Sequence, residues 1–261
     1  MAQTAGASGS GQPAPAGPTP RASRLARARA GLRPALTALL RPKGLPPEVA
    51  DRLEAAFGAI GQAGAGGRGR IRRMRERVRT APPQLLDWMS GQVLLHPAPL
   101  YDRESVELLS SRQTRSISTA VGALQVALVT AAAASTLEGG PVLALAIDGL
   151  VGQVASVVHG TCDWYNTGSY LVRRLRAEGI VTDRAEVRRL TNAALMSKGK
   201  SIDARTLSRS TELRLVRSWV RRGVVDALPF GASLGHASVR ATDRIQHSDL
   251  HELVALVRSS A

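Results

Sequence analysis

Between Ser116 and Cys162 the chain contains no lysine or arginine, although it carries 35 of them in 261 residues. An even spread would place about six in that window, so the gap marks a compositional boundary. The window holds two apolar segments of helical length joined by Glu138-Gly139-Gly140-Pro141, and arginines crowd both outer flanks. Such a hairpin must be buried, either in a helical core or in a lipid bilayer.

The residues leave both destinations open. The first leg, Ser116 to Leu137, is 22 uncharged residues, and about 20 apolar residues cross a hydrocarbon layer of roughly 30 Å. Alanine, serine, threonine and glutamine dilute its leucine and valine. The second leg, Pro141 to Gly160, carries Asp148 near its middle. An Asp at the centre of an inserted helix costs roughly 2.5–3.5 kcal/mol, so it is tolerated in lipid only against a partner helix or water. Ala123 with Ala127, Ala131 with Ser135, and Gly149 with Gly152 favour close helix approach in either medium. Arg103, Arg112 and Arg115 precede the hairpin and Arg173, Arg174 and Arg176 follow it, so the positive-inside rule places both ends on a cytoplasmic face.

The remaining charge is uneven. Residues 1–80 hold 15 Lys/Arg against 4 Asp/Glu (+11), and residues 81–261 hold 20 against 16 (+4). An arm of that charge is drawn to anionic lipid or nucleic acid. Arginine outnumbers lysine 32 to 3 along the whole chain, a bias that also suits a GC-rich genome. The three Trp, three Tyr and two Phe are too few for base-stacking platforms among the basic residues. The single cysteine, Cys162, excludes an intramolecular disulfide framework and fits a reducing compartment. Met1 to Pro20 has no apolar run of the kind a secretory signal needs. The acid-free, Arg-bearing first 47 residues superficially fit a mitochondrial transit peptide, but the same bias runs through the entire chain.

Three regions follow. Residues 1–46 read as a disordered basic arm: Gly, Pro, Ala, Ser, Thr and Gln to position 20, then Arg21, Arg24, Arg27, Arg29 and Arg33 among leucines at near-helical spacing, with Pro34 breaking the pattern. Residues 47–80 read as a short helix from about 47 to 60, a Gly-rich linker from Gly61 to Gly69, and an Arg-rich stretch with Arg68, Arg70, Arg72, Arg73, Arg75, Arg77 and Arg79. The twelve named arginines are the candidate lipid- or polyanion-binding residues. Residues 81–261 read as an α-helical domain around the hairpin 116–160. Pro82-Pro83 opens a helix that stops near His96-Pro97; Ser105 to Thr114 is helical and leads into the hairpin. Trp164 to Glu178 and Asp183 to Met196 read as separate amphipathic helices about Gly179, the second opened by an Asp183/Glu186 capping box. Residues 204–227 read as one long basic helix, Phe230 to Gln246 as a small-residue helix, and Asp249 with Glu252 as the start of a last short one. No strand alternation persists, so the predicted class is all-α, a helical bundle around a central apolar hairpin.

Chemistry-bearing clusters are sparse. His159, Cys162 and Asp163 would share a helix face, where a Cys–His pair could activate a thiolate or the trio bind a metal. Asp243, His247 and His251 would align as three ligands if one helix ran through them, but Ser248 and Asp249 look like helix-start residues. No P-loop, dinucleotide glycine pattern, HExxH or GxSxG occurs, and no cofactor is implied. Pro229, Gly231 and Gly235 form a small-residue notch suited to helix packing.

The apolar hairpin, the Asp163-to-Gly179 helix followed by Thr182-Asp183, and Leu228-Pro229-Phe230-Gly231-Ala232 with Gly235 together resemble the EcsC family of bacterial membrane-associated proteins over about residues 105–247. Gly139-Gly140-Pro141 and His236 to Arg240 depart from that family's pattern. The resemblance implies a cytoplasmic, membrane-proximal accessory to transport or envelope processes, with a protein partner at the membrane and no catalytic residues to carry over. The expectation is a non-enzymatic membrane-associated protein, peripheral to or inserted in the inner face of the membrane, whose arm contacts anionic lipid. The alternative is a nucleic-acid-binding protein that uses the same arm.

Overall fold

A computed structural model of the chain describes residues 47, 48, 51, 83–99, 102–134, 140–208, 210–225 and 237–260. The described residues are helical with no strand: α1 (83–95), α2 (Arg103–Ala134), α3 (Gly140–Ala177), α4 (Arg184–Met196), a 3-10 turn (Ala204–Leu207), α5 (Ser210–Val225), α6 (Ala237–Gln246) and α7 (Leu250–Ser259). The all-α expectation is met. The basic arm, the Gly-rich linker and the Arg-rich stretch lie outside the described residues; of the short helix expected at 47–60, Pro47, Glu48 and Asp51 are described, and they are helical.

The helix boundaries follow local chemistry. Pro83 fits the first turn of α1, where its missing N–H is no loss. Ser105 N–H donates to Asp102 Oδ1 at 2.7 Å ahead of α2. Gly179 ends α3 at φ +71°, a conformation glycine adopts without strain. Its N–H donates to Arg176 O, and Ile180 N–H donates to Leu175 O, which together form a Schellman motif. Asp183 caps α4 in a reciprocal box: Glu186 N–H donates to Asp183 Oδ1 at 2.7 Å, and Asp183 N–H to Glu186 Oε2 at 2.9 Å. Asp249 caps α7 through Glu252 N–H.

α2 runs directly into the hairpin's first leg, as expected, whereas α3 is longer than the sequence suggested and one helix is shorter. α2 runs 32 residues and α3 runs 38, about 48 and 57 Å at 1.5 Å per residue. The hairpin legs are therefore continuous with helix segments built into the core, and the base of each leg, Ile117 on α2 and Ala155 to His159 on α3, is itself buried. Trp164 to Glu178 is not a separate element; α3 passes through Gly160 unbroken. The long basic helix expected over 204–227 is instead a 3-10 turn and then α5. Asp203 caps the turn through Arg205 N–H at 2.8 Å.

α3 is the axis of the bundle, packing against α2, α4, α5 and α6. Trp164, Tyr165, Leu171 and Leu175 are fully buried on it, against Leu86 and Met89 of α1, Ile117 of α2 and Leu190 of α4. At roughly 1.5–3 kcal/mol per large apolar side chain buried, this core dominates stability. The loop after α1 is fixed to α3 by hydrogen bonds: Tyr165 OH donates to His96 O, Ala98 N–H to Ser169 Oγ, and Arg173 Nε to Ala98 O.

A polar seam runs through the apolar core. Trp164 Nε1 donates to Asn192 Oδ1 at 2.8 Å. Asn166 Nδ2 donates to Gln113 Oε1 at 2.8 Å, and the Ser110 and Ser238 hydroxyls share a 2.6 Å hydrogen bond. The seam thus joins α2, α3, α4 and α6, and it fixes their rotation about one another through directional contacts that apolar packing lacks.

Candidate functional site

A cleft of about 260 Å³ opens between α3, α4, α5 and α6. Helical spacing builds each wall. Ser156, Gly160 and Asp163 fall on one face of α3; Leu215, Ser218 and Trp219 on one face of α5; Ala237, Arg240 and Arg244 on one face of α6. The end of α4 closes the remaining side with Met196, Ser197 and Lys198.

The α3–α5 contact shapes the floor. A Cβ at Gly160 would lie 2.4 Å from Cδ2 and Cε2 of the Trp219 indole, so the ring rests directly on the α3 backbone. Ser156 Oγ donates to Trp219 O at 2.7 Å and holds the same pair of helices one turn away. Glycine inside a helix costs about 1 kcal/mol relative to alanine; here the missing Cβ admits an indole.

Cations dominate the rim. Arg244 is held rigidly: Nε donates to Gly199 O at 3.1 Å and Nη1 to Ala194 O at 2.9 Å, covering a carbonyl in the last turn of α4. Burial lowers its basicity, and the nearby Arg240 charge lowers it further, against an opposing pull from Asp243. Lys198 and Arg240 are exposed and form no ion pair among the described residues. Asp163 supplies the one acid of the lining, and its Oδ1 accepts from Ser238 N–H at 3.3 Å in the first turn of α6. Three cations and one carboxylate leave the lining at a formal +2.

The serine hydroxyls in the cleft are engaged within the fold. Ser156 Oγ and Ser218 Oγ donate to backbone carbonyls, and Ser197 Oγ is shared with Thr206 and Asp203 N–H. The free donors are therefore Lys198, Arg240, Arg244 Nη2 and the Trp219 indole N–H, none of which has a partner among the described residues. The arrangement suits binding an anion. It holds no nucleophile beside a base.

The candidates from sequence fare differently. His159 is buried, and desolvation lowers its pKa to about 4, so it is neutral at neutral pH. Burial and the Asp163 charge push the Cys162 thiol up, the opposite of an activated thiolate. That overturns the Cys–His reading. Asp243, His247 and His251 do not converge, because α6 ends at Gln246 and α7 begins at Leu250. Asp243 pairs with Arg103 at 3.0 Å, and His247 Nδ1 lies 2.7 Å from the Asp243 backbone carbonyl. Among the described residues no three His, Cys, Asp or Glu side chains gather as a metal site. Pro229, Gly231 and Gly235 lie outside the described residues, as do the twelve arm arginines. Lys198, Trp219, Arg240 and Arg244 were not singled out from sequence as a group; they come from the segment just after α4, from α5 and from α6, and meet only through tertiary packing.

No family model, curated protein or solved structure matches this chain. Among the described residues no helix is long and apolar enough to cross a membrane.

Proposed function

We propose that the protein is a non-enzymatic, membrane-associated helical protein that works at the cytoplasmic face as an accessory to transport or envelope processes. One observation carries this reading: the base-free window Ser116–Cys162 is carried on two long helices, α2 and α3, that continue past it into a polar-seamed core, with the window's own ends, Ile117 and Val157 to Cys162, already buried there. By composition the window is apolar and free of base, whereas the residues 1–80 arm carries +11 of charge. Each arm arginine close to an anionic bilayer contributes about 1 kcal/mol. The EcsC-like pattern at 105–247 supports the same assignment.

Flotation tests it. Full-length protein should rise with vesicles containing phosphatidylglycerol at low salt, and an alkaline wash should then separate an inserted hairpin (retained) from a peripheral one (released). Protein left at the bottom of the gradient would sink the proposal. The arm's charge also favours nucleic acid, which would appear as DNA affinity falling steeply with salt and unaffected by lengthening or shortening the hairpin.

A further inference from the structure

We propose that the cleft between α3, α4, α5 and α6 is a binding site for a phosphate monoester, held by Lys198, Arg240 and Arg244 with Trp219 as its apolar floor. The assignment stands on the cleft alone, whether or not the hairpin meets a membrane.

The electrostatics select the ligand class. Three cations line one cleft of about 260 Å³, with only Asp163 against them, and Asp163 is already engaged by the first turn of α6. Lys198 and Arg240 have no acid partner among the described residues. A monoester phosphate carries about −1.5 to −2 charges near neutrality and three acceptor oxygens. It therefore answers the lining's formal +2 better than a carboxylate does.

The donors also match. Arg244 is fixed by two backbone carbonyls, leaving Nη2 as a preoriented donor. Arg240 stands one helical turn away on the same face of α6 and can present a planar fork to two oxygens. Lys198 closes the opposite rim as a point charge. At about 30 Å³ per water in the liquid, the volume holds several waters, so a phosphate and a short substituent over the Trp219 ring fit. A free phosphate ester and a lipid headgroup share this chemistry.

The test uses the full chain in phosphate-free buffer at fixed ionic strength. Glycerol 3-phosphate is titrated calorimetrically into wild type, Lys198→Ala/Arg240→Ala, and a charge-matched control, Arg205→Ala/Arg217→Ala, whose side chains lie outside the cleft lining. Wild type should bind one equivalent saturably. The cleft variant should weaken this about tenfold or more, the scale of a lost charge-assisted contact, and the control should stay within about twofold. Of the indole N–H resonances from Trp88, Trp164 and Trp219, only that of Trp219 should move on titration.

Absence of saturable binding, equal weakening in the control, or an unmoved Trp219 resonance would overturn the site. Vesicles identify the source. If the cleft variant loses retention on phosphatidic acid vesicles but keeps it on phosphatidylglycerol, the ligand is a headgroup; if it loses only glycerol 3-phosphate, the ligand is soluble. Protein that floats on phosphatidylglycerol but ignores glycerol 3-phosphate sinks this site alone. Protein that binds the ester but never floats sinks the membrane reading alone.

Discussion

The Trp219 indole lies on the α-carbon of Gly160, close enough that an added Cβ would sit 2.4 Å from two ring carbons and 2.6 Å from Nε1. This contact sets the separation of α3 and α5 and the depth of the cleft between them. Gly160→Ala should therefore lower stability by about 1–3 kcal/mol through overpacking, even though alanine is the better helix former. Denaturant melts followed by circular dichroism measure the difference. A variant as stable as wild type would mean that the helices separate freely.

Neutral His159 makes stability depend on pH. Its pKa falls from 6.5 when unfolded to about 4 when folded because burial disfavours the cation. The unfolded chain thus binds the extra proton between those values, so stability is full above about pH 6.5 and falls as pH drops towards 4. The loss across that window is about 3 kcal/mol, and carboxylates add their own effect only at its acid end. His159→Gln should flatten the slope between pH 6.5 and 5. An unchanged slope would show that another group titrates there.

Asn166 and Gln113 are coupled across α3 and α2 at 2.8 Å, and Asn166 Oδ1 and Gln113 Nε2 have no partner among the described residues. Asn166→Leu alone strands the Gln113 carbonyl and should cost about 1–3 kcal/mol. Adding Gln113→Met removes the stranded group, so the double variant should be more stable than the sum of the singles by about 1 kcal/mol. Additive free energies in a double-mutant cycle would remove the coupling.

Asp183 should show the usual preferences of an N-cap. Asp183→Ala should destabilise by about 1 kcal/mol, while Asp183→Ser should retain most of that. The mechanism predicts a local effect, with hydrogen exchange accelerated in the first turn of α4 before the rest of that helix. Uniform acceleration across α3 and α4 would argue against it.

Short-range signals were readable in the chain and distant ones were not. Asp183 with Glu186, Asp249 with Glu252, and Gly179 each act within a turn of themselves, and each does in the structure what its spacing implies. Gly160 misled for a physical reason. A glycine before a polar stretch reads as a helix end, yet here the helix continues because Trp219, nearly sixty residues away, fills the space beside it. The 3-10 turn at Ala204–Leu207 escaped notice because Leu207 keeps helical spacing with the apolar residues of α5 while the backbone breaks after it. Lys198, Arg240 and Arg244 sit in ordinary solvated-looking sequence, and only the crossing of α4 and α6 gathers them.

α3 passes unbroken from Gly140 beneath the indole, so a single rigid element joins the start of the return leg to the cleft floor. The 20 residues from Gly140 to Gly160 span about 30 Å, and a helix resists compression along its axis. A load applied at Gly140 would therefore be felt at the cleft floor, where Ser156 and Gly160 bear on Trp219 and Asp163 holds the first turn of α6.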